Sequence, residues 1–262
     1  MSERRENGTG LSQEPLSARR QRWHWALLLP LANLVWIVLF LSDYTNVWVA
    51  PEAIAWRAEL SANRTLGETV RFAFNWSALE GAPRVTRPLS NLFETADNAV
   101  RKRLWRSWTP HPALSLTYLF TLIVAPVLLF AVLRALGIRD SLAWCGAALY
   151  LCNPGTLSLL AIGFRPGKAM ACAATVAVLW WASRLKKMSF VHIVPLYLFL
   201  FASLFWDETA LVALPALLIL FPRVVFSGWP AAVTFCLVPV GYAAAVRWLL
   251  PAVHAAAGFA LP

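Results

Sequence analysis

Apolar residues run through the chain in long blocks separated by short polar punctuation. Seven blocks are nearly free of charge: Trp25–Ser42, Ala113–Leu133, Ser141–Phe164, Ala169–Ser183, Met188–Trp206, Thr209–Pro222 and Trp229–Val246. A helix crossing the hydrocarbon core needs about 20 apolar residues, fewer where its ends reach the interface. The pattern therefore predicts an all-α integral membrane protein with about seven transmembrane helices. The fourth and sixth blocks are short, but Lys168, Arg184, Trp206 and Arg223 stand at their ends, placed to snorkel or sit among headgroups. Pro154-Gly155 interrupts the third, where a break must be covered by neighbours or line a cavity. Residues 1–24 lack apolar periodicity and are Arg-rich, predicting a disordered basic tail ahead of a polytopic membrane domain over 25–262.

Composition agrees with this pattern. Of 262 residues, 59% are hydrophobic and 14% charged, and there are 14 Trp. A soluble domain carries about 45–50% apolar and about 25% charged residues, so the apolar surplus must face something other than water. A disordered chain, a disulfide scaffold and a nucleic-acid binder are excluded despite the net charge of +10. Cys145, Cys152, Cys172 and Cys236 all lie inside apolar runs without metal-ligand spacing and read as small buried hydrophobes. The charge is more useful for topology. With the N-terminus cytoplasmic, that side collects Arg4, Arg5, Arg19, Arg20, Arg22, Arg134, Arg139, Arg184, Lys186, Lys187 and Arg223, against Arg165, Lys168 and Arg247 opposite. An odd number of spans then puts the C-terminus and the long loop 43–112 outside.

Within that loop Leu89, Leu92, Phe93, Ala96, Ala99, Val100 and Leu104 recur at helical spacing, with Glu94, Asp97, Arg101, Lys102 and Arg103 on the other face. This predicts an amphipathic helix lying on the membrane surface, with shorter helical stretches around Glu52–Leu60 and Leu66–Asn75.

On this topology six ionisable residues gather near one outer interfacial level: Asp43, Arg87, Arg165, Lys168, Asp207 and Glu208. Cations beside carboxylates suit a reaction on an anionic lipid-linked donor. The cations would hold a phosphate, and a carboxylate would act as base or position a divalent cation, the one candidate cofactor. Taken singly, Asp43 also reads as a polar stop after the first span, and Arg165 and Lys168 as headgroup anchors. Adjacent acids such as Asp207-Glu208 are costly near a membrane unless solvated or paired.

The order of motifs resembles the polytopic GT-C glycosyltransferases, in the branch containing the transmembrane and tetratricopeptide-repeat O-mannosyltransferases and related bacterial membrane proteins. An acid follows the first span (Asp43), and Arg87-Pro88-Leu89 opens an amphipathic helix. Leu133-Arg134-Ala135-Leu136-Gly137 closes the second span. Tyr150-Leu151-Cys152-Asn153-Pro154 stands where that family often has Leu-His-Pro, and Gly163-Phe164-Arg165 is similar to its Gly-Arg turn. Phe205-Trp206-Asp207-Glu208-Thr209-Ala210-Leu211 is similar to Ser-Lys-Glu-x-Ala-Leu, and Leu214-Pro215 follows as in the family. The likeness covers about Asp43 to Pro222, the family's N-terminal transmembrane module alone.

The resemblance implies transfer of a sugar from a polyprenyl-phosphate donor at the extracytoplasmic face of a bacterial cytoplasmic membrane. Asp43 would be the catalytic acidic residue, Arg87, Arg165 and Lys168 would bind phosphate, and Asp207 and Glu208 would form the site wall. The chain departs from the family where Tyr44 replaces a second acid and Asp207 replaces a lysine. Those departures keep open a rival expectation, a non-catalytic GT-C-like subunit that binds lipid or a partner membrane protein.

Overall fold

The computed structural model describes residues 64–74, 87–104, 116–152, 166–185 and 189–256. The basic tail, the expected first span with Asp43, the stretch Glu52–Leu60, the Pro154-Gly155 break and Arg165 lie outside the described residues. Among the described residues every regular element is helical.

Helix α1 (Leu66–Ala73) starts on a capping box. The Glu68 amide donates to the Thr65 hydroxyl at 3.3 Å, and the Thr65 amide and hydroxyl donate to Glu68 Oε2 at 2.7 and 2.9 Å. Those bonds, the amide first, hold the Glu68 carboxyl below its ordinary pKa, and Arg64 adds a smaller pull in the same direction.

Helix α2 (Pro88–Leu104) is the amphipathic helix of the loop, but its buried edge differs from the expected one. Ser90, Asn91 and Asp97 are buried, while Ala96 and Ala99 are exposed and Leu92, Phe93 and Val100 only half-covered. Asp97, expected on the solvated face, is thus turned inward. The reason is backbone capping. Asp97 Oδ1 accepts the Leu116 amide at 2.6 Å, and Asn91 Nδ2 donates to the Ala73 carbonyl at 3.0 Å. The helix uses its polar stripe to satisfy the termini of other helices, which apolar side chains cannot do.

The second apolar block forms α3 (Leu116–Leu119), a π turn (Phe120–Val124) and α4 (Ala125–Ala135) in direct succession. Gly137 ends it with φ of +85°, a left-handed conformation that suits glycine. Its amide donates to the Arg134 carbonyl and the Ile138 amide to the Leu133 carbonyl, at 3.0 and 3.1 Å, completing a Schellman stop. Arg134 then reaches Asp140 and the Ile138 carbonyl, clasping the turn into α5 (Asp140–Cys152). The Leu133–Gly137 motif is therefore a helix terminus whose chemistry is visible residue by residue.

Helix α6 (Pro166–Arg184) is the hub, packing on α2, α3, α4 and α7 (Phe190–Ser203) and on the short helix α8 (Ala213–Leu220). Its alanines explain this role. Ala169, Ala171, Ala173, Ala174 and Ala182 are all buried, and small side chains let neighbours approach on several sides. Tyr197, Leu200, Leu204, Leu217 and Val178 fill the main core between α6, α7 and α8. A 3₁₀ turn (Glu208–Val212) joins α7 to α8, and α9 (Pro222–Val225) leads to α10 (Trp229–Ala244). A second π turn (Ala245–Leu249) connects α10 to α11 (Leu250–Ala256).

Helices thus occupy the described parts of six of the expected blocks. One of them, Trp229–Val253 with 25 residues, is long and apolar enough by itself to cross a membrane; Phe120–Ala135, Val191–Ser203 and Glu208–Leu220 are shorter apolar helices.

Candidate functional site

Three segments far apart in sequence meet at the end of the bundle where α6 begins and α7 ends. Both α2 and the 3₁₀ turn after α7 pack on α6, whose first turn lies against Ser90 and the Trp206 carbonyl. Gly167 makes the approach possible. A methyl group there would fall 2.7 Å from the Trp206 carbonyl oxygen and collide with the Ser90 hydroxyl, so any side chain would push these segments apart.

Arg87 stands just ahead of α2, and the cap and first residue of the 3₁₀ turn supply its partners. Asp207 is 1% exposed and caps that turn, its Oδ1 accepting the Thr209 amide at 2.9 Å. Its Oδ2 lies 3.1 Å from Arg87 Nη1 but off the N–H direction, so it gains charge compensation without a hydrogen bond. Glu208 takes the other edge of the guanidinium. Arg87 Nε donates to Oε2 at 3.1 Å and Nη2 to Oε1 at 2.6 Å, a bidentate fork. The Arg87 side chain is 11% exposed and that of Glu208 47% exposed, so the fork closes at the solvent edge of the cluster.

Lys168 occupies the first turn of α6 and is half-buried. Its neighbour Gly167 abuts the Trp206 backbone, next to Asp207, which puts the Lys168 backbone at the same end of the bundle.

Of the six residues expected at the site, Arg87, Asp207 and Glu208 come into direct contact and Lys168 lies in the adjoining turn. Asp43 and Arg165 are outside the described residues. Among the described residues no group of His, Cys, Asp and Glu is arranged to hold a metal ion. Sequence reasoning did not single out Ser90, Asn91 or Gly167. The signal was nonetheless present, because Arg87, Ser90, Asn91, Glu94 and Asp97 recur at three- and four-residue spacing and form one polar stripe. Ser90 also donates to Glu94 Oε1 at 3.2 Å, tying two turns of that stripe together.

No family model, curated protein or solved structure matches the chain. The functional reading rests on the residues themselves.

Proposed function

We propose that the protein is a GT-C-like membrane glycosyltransferase that moves a sugar from a polyprenyl-phosphate donor to an acceptor hydroxyl at the extracytoplasmic face. The observation that carries this reading is the convergence of Arg87, Asp207 and Glu208, with Lys168 in the adjoining turn, at the end of the bundle where α6 begins and α7 ends. Ionisable groups are costly at such a place, and their concentration at one level is what an interfacial reaction on an anionic lipid requires.

Outward apolar side chains support membrane embedding. Leu149, Val191, Leu198, Ile219 and Val240 are exposed on several helices, and only 17% of the best apolar window in Trp229–Val253 is covered by protein. The core helix of a soluble protein would be covered on most sides. Trp229 and Trp248 stand exposed near the two ends of that helix, as interfacial tryptophans do.

In the proposed reaction Asp43 accepts the proton of the acceptor hydroxyl as its oxygen attacks the anomeric carbon. The bond from that carbon to the phosphate oxygen breaks, and the lipid phosphate departs with the electron pair, its charge held by Arg87, Arg165 and Lys168. Asp207 and Glu208 form the site wall. The test is transfer from a polyprenyl-phosphate sugar by the purified chain, in wild type and Asp43→Asn. Loss of product in the variant at unchanged expression is the expected result, and equal product from both removes Asp43 from the mechanism. Repeating the assay with a chelator decides whether a divalent cation takes part.

One observation favours a second reading, a non-catalytic subunit of the same fold. Arg87 is already compensated by two carboxylates, which suits a structural clasp. On that reading the chain binds lipid phosphate or a partner membrane protein and releases no sugar.

A further inference from the structure

We infer that Glu208 is a displaceable stand-in for a phosphate group, seated on Arg87 until the phosphate takes its place. The inference rests on the proposed lipid-phosphate reading and deepens it by assigning the two carboxylates different roles. Carboxylate and phosphate use the same pair of guanidinium donors, and Glu208 already occupies the Nε–Nη2 edge in a fork with bonds of 3.1 and 2.6 Å. The phosphate-competent edge of Arg87 is thus formed and filled from within the chain.

The two acids differ in whether they can leave. Asp207 is 1% exposed and is also tied to the Thr209 amide, so it is a fixed partner that keeps Arg87 in place. Glu208 is 47% exposed and makes its fork at the cluster's outer rim, so its carboxylate can rotate into water and be hydrated there. Its departure frees the guanidinium edge without breaking the cap of the 3₁₀ turn, which belongs to Asp207.

A phosphodiester carries one negative charge, as the Glu208 carboxylate does, so the exchange leaves the charge seated on Arg87 unchanged. The exchange swaps one anion for another on a prepared seat, and the phosphate brings more oxygen acceptors than the carboxylate it replaces. Glu208 accordingly weakens phosphate binding while shielding Arg87 when the seat is empty.

The experiment uses the purified full chain in detergent, titrated with a polyprenyl monophosphate, the matching polyprenol and inorganic phosphate. Glu208→Gln removes the competing charge and keeps side-chain size, and it should bind the lipid phosphate about tenfold tighter, equivalent to about 1.4 kcal/mol. Arg87→Lys keeps the charge without the fork and should bind more weakly than wild type. Equal or weaker binding by Glu208→Gln, with Arg87→Lys still impaired, overturns the exchange and leaves the lipid-phosphate reading standing. Binding unaffected by either substitution places the phosphate elsewhere and also overturns it. Absence of phosphate binding in wild type and both variants overturns the inference and the reading together. A tightening seen equally with inorganic phosphate supports the exchange with a soluble phosphate as occupant, and one confined to the lipid supports the lipid headgroup.

Discussion

Along α2 the side chains that turn inward are polar, with Ser90, Asn91 and Asp97 buried and Arg87 locked to the turn after α7. Along α10 the side chains that turn outward are apolar, with Trp229, Val233, Leu237 and Val240 all exposed. The two helices invert the usual arrangement in complementary ways. An apolar contact is nearly indifferent to whether its partner is a neighbouring helix or a lipid tail, so α10 gains little positional information from its outward face. A hydrogen bond to a particular carbonyl or amide admits one position. Helix α2 is placed by such bonds, and it carries Arg87 to the site with a precision that greasy packing alone does not give.

Removing the charge that organises the polar side should have the largest effect. Arg87→Ala leaves Asp207 buried without compensation and should cost about 3–5 kcal/mol, read as a lowered thermal unfolding midpoint in detergent. If the midpoint stays put, polar anchoring is not what places α2, and the contrast with α10 fails. Next comes the close approach at Gly167, where Gly167→Ala should cost about 1–3 kcal/mol through the contact with the Trp206 carbonyl. A cross-link between cysteines placed on α2 and on the turn after α7 should form more slowly in that variant.

The smallest effect belongs to the capping box of α1. The folded-state pKa of Glu68 is lowered, so its contribution is fully present above the unfolded value near 4.5 and is lost as pH falls through the folded value. Hydrogen exchange of the α1 amides should therefore quicken at acid pH, and Glu68→Gln should abolish that pH dependence while leaving α7 and α10 unchanged.

Much of the fold can be read directly in the residues. The charge-free blocks coincide with helices wherever they fall on described residues. The Leu133–Gly137 terminus and the alanine-rich hub of α6 are equally plain, since a left-handed glycine and small side chains each have one main structural use. The rotation of α2 was harder to read. Its apolar stripe is genuine, yet three buried polar residues outweigh it, because unsatisfied helix ends cost more than half-exposed leucines. The site was legible as a gathering of charges at one level, but the pairing of Arg87 with both Asp207 and Glu208 was not. Residues separated by 121 positions carry no local trace of each other, and the glycine that lets them meet lies on a third segment.

The π turn at Phe120–Val124 fits one more residue into its rise than an α-helix would hold. Each residue of an α-helix advances the side-chain direction by about 100°. The segments on either side therefore stand about a quarter-turn out of phase with an uninterrupted helix, and the same arithmetic applies at Ala245–Leu249. These turns act as phase shifters. A single-residue deletion inside one would straighten the helix and leave its composition almost untouched, yet it would rotate a whole flanking segment and exchange the side chains facing the bundle for those facing away. Tolerance to deletion at these points is thus governed by angle, whatever the hydrophobicity of the residue removed.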